Sequence, residues 1–176
     1  MLLYLDSSAV VKIYVNEEYR NEVFALLSAI LSGGGRMTIS DIGYVEVRAA
    51  LAAICRVGRV NVPGYRELVR SLETDMKSLH LVLNAEHGVF ARAAQIPSPT
   101  RYQTPGSREK HPLRGYDAVH LALALEARDR YTAGGEEVLM LTFDRELHAA
   151  AVAEGVAHEC PDSACPGGLR FSGLAY

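Results

Sequence analysis

Four acidic side chains stand where an α/β chain could put them to chemical use. Asp6 follows the apolar run Leu2-Leu3-Tyr4-Leu5 and precedes two hydroxyls, Ser7 and Ser8. Asp144 follows Val138-Leu139-Met140-Leu141 by way of Thr142 and Phe143, repeating the order strand, carboxylate, helix. Glu46 shares helical spacing with Ile42, Val45, Ala49 and Ala50, which directs it to the inner face of its helix. Asp117 lies near the start of a strongly apolar helix and shares a face with Leu121 and Ala124. Carboxylates gathered at one edge repel, and they either take up protons or bind a cation. Oxygen donors select hard ions, so Mg²⁺ or Mn²⁺ with retained waters is expected. Such an ion serves phosphoryl chemistry: it polarises a phosphate oxygen, acidifies its bound water and steadies the leaving oxygen. Ser7 and Thr142 are placed to hydrogen-bond a carboxylate or a bound water.

Each of these residues also admits a plainer explanation. Asp6 and Asp144 could be helix N-caps, which Asp makes well. Asp117 could be a cap or a partner of the helix dipole, although Leu113 to Tyr116 already read as helical. Glu46 could be half of a salt bridge, with Arg48 and Arg56 poorly placed to complete it. His120, one turn beyond Asp117, reads as a packed, hydrogen-bonded core residue rather than a metal ligand. Other phosphoryl machinery is excluded by pattern. There is no glycine-rich phosphate loop ending in Lys-Ser or Lys-Thr, and no Gly-x-Ser-x-Gly elbow. Asp6-Ser7-Ser8 also lacks a second aspartate two positions on.

The elements that must position these acids alternate between strand and helix. Strands are expected at Leu2–Leu5, Arg36–Ile39, Leu79–Leu83 and Val138–Leu141, with a last edge strand over 155–158. Helices are expected after Asp6, across Val23–Leu31, after Ser40 or Asp41, over 64–77 and 85–96, from Leu113 onward, and over 145–154. Gly33-Gly34-Gly35 and Gly134-Gly135 end two of them. This alternation predicts a parallel sheet covered by helices on both sides, with Asp6 and Asp144 at its carboxyl edge. Segment 97–112 is the only loop-like stretch of its length, and it is locally basic through Arg101, Arg108 and Lys110.

Composition fits one globular domain: 176 residues, 49% of them apolar, with a net charge of −3. That charge gives no global footprint for nucleic acid, though a metal site can supply local positive charge. No apolar run is long enough to cross a bilayer and no secretory leader is evident, so no membrane association is expected. Three cysteines do not form a disulfide framework, and the expected location is cytoplasmic. Cys160 and Cys165, with His158 nearby, are too few for a structural zinc knot.

Taken together, Leu-Tyr-Leu-Asp-Ser-Ser-Ala, the Ser-Asp-x4-Glu-Val helix opening, Leu-Arg-Gly-Tyr-Asp-Ala-Val-His-Leu-Ala-Leu-Ala and Leu-Thr-Phe-Asp-Arg-Glu-Leu resemble the PIN-domain family. Within it they are most like the VapC toxins of toxin–antitoxin pairs. The resemblance implies a three-layer α/β/α fold with a central, mostly parallel sheet of about four or five strands. It places a nuclease domain over 1–158, interrupted by an insertion at 97–112, with a tail at 159–176. It implies a Mg²⁺- or Mn²⁺-dependent endoribonuclease in which Asp6, Glu46, Asp117 and Asp144 form the acidic quartet. By that analogy Asp6 and Asp117 bind metal directly and Asp144 binds it directly or through water. Glu46 holds a second metal or orients the attacking water, and Ser7 and Thr142 are the supporting hydroxyls. An RNA substrate, a small antitoxin and a homodimer are the implied partners. Lys12, Arg48, Arg114 and Arg145 are candidates to steer RNA phosphates. The alternatives are a PIN nuclease of RNA processing or of DNA, and a non-catalytic PIN-like binding module.

Overall fold

The computed structural model describes residues 1–79, 81–96 and 113–159. Five strands form one sheet: β1 (Leu2–Leu5), β2 (Arg36–Ser40), β3 (Val82–Leu83), β4 (Val138–Leu141) and β5 (Ala157–Glu159). Their spatial order is β3-β2-β1-β4-β5, and every pairing is parallel. β1 is buried along its whole length, as an unbroken apolar run in a doubly covered sheet should be. Its side chains alternate between two cores. Leu3 and Leu5 face α1 (Ser7–Tyr14), α2 (Arg20–Ser32), α3 (Asp41–Arg56) and α4 (Val62–Ser78). Leu2 and Tyr4 face α5 (His87–Ala93), α6 (Gly115–Thr132) and α7 (Arg145–Ala153). The three-layer α/β/α architecture expected from the alternation is the one observed.

The connections fix where a site can form. The chain runs from β1 outward to β2 and β3, then returns to the other side of β1 for β4. The order reverses at β1, and open α/β sheets offer a crevice at such a switch point, beyond the strand carboxyl ends. Leu5 is in register with Leu141, so Asp6 and Thr142 leave adjacent strands side by side. Helix α6 brings a third group to that crevice. Eight consecutive residues, Ala118 to Leu125, are buried, which accounts for its apolar character on every side.

Four expectations about elements require correction. The strand expected over Leu79–Leu83 contracts to Val82–Leu83, because Leu79 instead closes α4 with its N–H on the Asp75 carbonyl. Helix α6 begins at Gly115 and not at Leu113, so Asp117 lies in its first turn. Helix α3 buries Gly43, Val47, Leu51 and Ile54, whereas Val45 is 62% exposed. The alternative stripe through Val45, Ala49 and Ala50 was apolar by residue type but carries little side-chain area. Glu46 therefore sits at the margin of the buried stripe. The last edge strand, expected over 155–158, forms as β5 two residues later at its start and one at its end. The insertion at 97–112 and the Cys160 and Cys165 tail lie outside the described residues. No helix among the described residues is long and apolar enough to cross a membrane.

Candidate active site

Asp6 ends β1 and caps α1, with its side chain accepting from the Ala9 amide at 2.9 Å. Its other partners are the hydroxyl of Ser8, at 2.7 Å from Oδ1, and that of Thr142, at 2.8 Å from Oδ2. Burial raises the Asp6 pKa, against the nearby His120 charge and these hydrogen bonds. Thr142 also accepts from the Asp144 amide at 3.0 Å, so one hydroxyl ties both aspartates to the sheet edge. Asp144 caps α7, its Oδ1 accepting from the amides of Glu146 at 2.8 Å and Leu147 at 2.9 Å. Both cap explanations are thus correct as far as they go, and capping is what holds the two carboxylates in place.

Glu46 has a partner that is not an arginine. His120 is 1% exposed on α6, and its Nε2 lies 2.6 Å from Glu46 Oε2. Its Nδ1 meets the hydroxyl of buried Tyr4, which donates onward to Ser40 Oγ at 3.3 Å. Ser40 in turn caps α3 by accepting from the Gly43 amide at 2.9 Å. The fit is close at Gly43: a Cβ there would stand 3.1 Å from Ser40 Oγ, so the serine side chain would have to give by a few tenths of an ångström. Burial opposes a charged imidazole, but the Glu46 hydrogen bond and the charges of Asp6, Glu46 and Asp117 push the His120 pKa above its ordinary value. Burial likewise opposes the Glu46 carboxylate, yet His120 and a hydrogen bond from Ser7 hold its pKa below the usual range. Ser7 thus serves Glu46, while the hydroxyls on Asp6 belong to Ser8 and Thr142.

Asp117 has no such support. Its Oδ2 is buried without a hydrogen-bond partner. Burial first, and the Asp144 charge second, push its carboxyl up to about 6. An orphaned buried carboxylate oxygen beside another carboxylate is what a hard cation would satisfy. Among the described residues no three His, Cys, Asp or Glu groups are drawn closely enough to cage a metal ion by themselves. Mg²⁺ commonly takes only one or two carboxylates and keeps several waters, so this donor set still fits it. The four acids stand in different surroundings. Glu46 is paired with an imidazole, Asp6 is saturated with donors, and Asp117 carries the open valence.

The steering candidates separate clearly. Arg48 is held by Tyr44 Oη at 2.9 Å and Glu73 at 2.7 Å. Lys12 lies 4.4 Å over the Phe143 ring and 3.9 Å from Glu17. Arg145 is exposed at the start of α7. Arg114, the residue before α6, is exposed and lines a cavity of about 410 Å³ together with Glu46, Gly115, Tyr116, Asp117 and Val119. Sequence reasoning missed Ser8, Tyr4 and Ser40 as parts of the site. The one available signal was a phenol inside an otherwise aliphatic strand.

An all-parallel sheet with aspartates at the β1 and β4 carboxyl ends, completed by acids from α3 and α6, defines a class of α/β nuclease-like folds. The PIN domain model matches residues 3–153, and the chain belongs to that family. It is 30% identical over 154 residues to Ribonuclease VapC45 of Mycobacterium tuberculosis (strain CDC 1551 / Oshkosh), a match covering 88% of this chain and 92% of the relative. Ribonuclease VapC49 of Mycobacterium tuberculosis (strain ATCC 25618 / H37Rv) matches with the same identity and coverage. The fold also resembles a chain in the crystal structure of VapBC2 from Rickettsia felis bound to a DNA fragment from their promoter. The TM-score there is 0.55 at 11% identity, covering 92% of this chain and 100% of that one.

Proposed function

We propose that this protein is a metal-dependent endoribonuclease and the toxin of a type II toxin–antitoxin pair. The observation that carries the reading is Asp117, with an unpartnered buried oxygen beside Asp144 at the β1/β4 crevice. Full-length similarity to curated ribonucleases supports the reaction class. Mg²⁺ or Mn²⁺ held by Asp117 and Asp144, with Asp6 acting through a bound water, would polarise a phosphodiester oxygen and acidify a bound water. Asp6 and Asp144 are held rigid by their capped helices, so their oxygens need no reorganisation when substrate arrives. Glu46, kept anionic by His120 and Ser7, is poised to orient the attacking water and accept its proton at Oε1 or Oε2. Tyr4 and Ser40 fix the far side of the imidazole, so His120 cannot turn away from Glu46. An acidic crevice also accepts a guanidinium or ammonium group, which makes inhibition by a basic antitoxin side chain physically reasonable. A homodimer belongs to the same proposal.

The test is cleavage of a panel of structured and unstructured RNAs by purified protein in Mn²⁺, Mg²⁺ or EDTA, beside Asp117→Asn. The expected result is metal-dependent cleavage that the variant loses by at least a hundredfold. Equal activity in EDTA and Mn²⁺, or an Asp117→Asn variant as active as wild type, would overturn the proposal.

A further inference from the structure

The cavity beside Asp117 has walls that the metal chemistry does not use. One is Arg114, whose guanidinium makes no side-chain hydrogen bond or ion pair among the described residues, although its charge bears on Asp117. The other is Tyr116, 61% exposed, whose ring and hydroxyl are likewise without a partner among the described residues. At that exposure the ring presents a face on which a flat ligand can stack. Gly115 lies between them, and a Cβ placed there would meet nothing within 4 Å. The floor between guanidinium and ring is therefore open, and it leads to Glu46 and Asp117. Of the four basic residues near the crevice, Arg48 and Lys12 are committed to acidic or aromatic partners, and only Arg114 lines this cavity.

We propose that Arg114 and Tyr116 form a nucleotide subsite for an unpaired residue of RNA next to the cleaved bond, with Arg114 on its phosphate and Tyr116 stacked on its base. This rests on the nuclease reading. The chemistry follows from the pair. A guanidinium forks onto phosphate oxygens. An exposed phenol ring stacks on any base, but only one released from a helix, because paired bases hide their faces against each other. The subsite therefore selects single-stranded segments over duplex and sets the register of the chain across Asp117. It has no means of reading base identity through hydrogen bonds to ring edges.

Fluorescence anisotropy with a short single-stranded oligoribonucleotide in EDTA measures binding apart from cleavage, and the same strand annealed to its complement is the control. Tyr116→Ala should weaken single-strand binding roughly tenfold, Tyr116→Phe should restore it, and duplex binding should move less than either. Arg114→Ala should reduce the slope of log affinity against log salt by about 0.7, the loss of one phosphate contact on a single strand. In cleavage assays the loss should fall on KM rather than kcat. Tyr116 is exposed, so an unchanged melting temperature accompanies Tyr116→Ala. Single-strand binding within twofold of wild type for Tyr116→Ala, or an unaltered salt slope for Arg114→Ala, would overturn the subsite while leaving metal-dependent cleavage intact. Loss of binding in the variants of a protein that cleaves no RNA would instead keep the subsite and remove the nuclease reading. A wild type that binds no oligoribonucleotide would remove both.

Discussion

Asp117 pays in stability for its place in the crevice. Its carboxyl is raised from 3.8 to about 6 in the folded chain, first by burial and then by Asp144. The folded state therefore holds a proton more tightly than the unfolded state does. Between those two values stability falls as pH rises, and the full penalty is present at pH 7. Asp117→Asn removes the charge while keeping the shape. In metal-free buffer at pH 7.5 the variant should unfold about 1 kcal/mol later than wild type, a figure discounted for the partial exposure of the group. At pH 4 the two should coincide. Urea titrations at both pH values check this, and a variant less stable than wild type at pH 7.5 would mean that Asp117 is not strained. His120 offers the opposite case. Its imidazole satisfies Glu46 on one side and Tyr4 on the other. Cutting it back in His120→Leu strands a half-buried carboxylate and a buried phenol, which should cost about 2–3 kcal/mol. Denaturant unfolding of the metal-free protein at pH 7 would show a loss below 0.5 kcal/mol if the network were ornamental. The residue scale also shows what a single sequence conceals. Asp6 and Asp144 were legible because a carboxylate between an apolar strand and a helix has few uses. The pairing of Glu46 with His120 was not legible, because the two are far apart in the chain and meet only where the first turns of α3 and α6 approach each other beyond the strand ends.

At the scale of elements, the junction of β4 and α7 does two jobs with one side chain. Asp144 stops the fraying of α7 by accepting from two amides, and the same carboxylate faces Asp117 closely enough to raise its pKa. These roles separate by substitution. Asp144→Ala should lose the cap, about 1 kcal/mol, together with activity. Asp144→Ser should recover most of the stability, because a serine hydroxyl caps nearly as well, but none of the activity. If Asp144→Ser cleaved RNA as wild type does, the residue would be a cap alone. The elements themselves were largely readable. Unbroken apolar runs marked β1 and β4, and glycine pairs marked the ends of α2 and α6. What failed was the stripe on α3, where residue type suggested Val45 and Ala49 while the fold buries Val47 and Leu51. A helix packed against both a sheet and another helix has more than one apolar track, and periodicity alone does not rank them. The shortening of β3 has a similar origin. Thr38 donates its hydroxyl to the Leu81 carbonyl at 2.9 Å, a side-chain bond standing just before the two-residue ladder with β2 begins.

For the whole molecule, charge connects the crevice to its substrate. A chain of net charge −3, with its acids gathered at one edge of the sheet, does not attract a polyanion unaided. The orphaned oxygen of Asp117 and the raised pKa around it both describe a site whose charge is incompletely balanced by protein groups. His120 pairs with Glu46, and on the proposed reading a cation would meet Asp117. Binding of such a cation to the folded state alone must raise the unfolding temperature, by RT ln(1 + [L]/Kd), or about 2.7 kcal/mol at a hundredfold excess over Kd. For a chain of this length that corresponds to roughly 5–10 °C. Thermal melts in EDTA and in increasing Mn²⁺ should show this rise for wild type, and Asp117→Asn should show little of it. Since the variant starts from a higher melting point in EDTA, the two curves should cross as Mn²⁺ increases. A parallel rise in both proteins would mean that the ion binds elsewhere. A flat response in wild type would return Asp117 to the status of a strained surface acid and leave the crevice without its counter-charge.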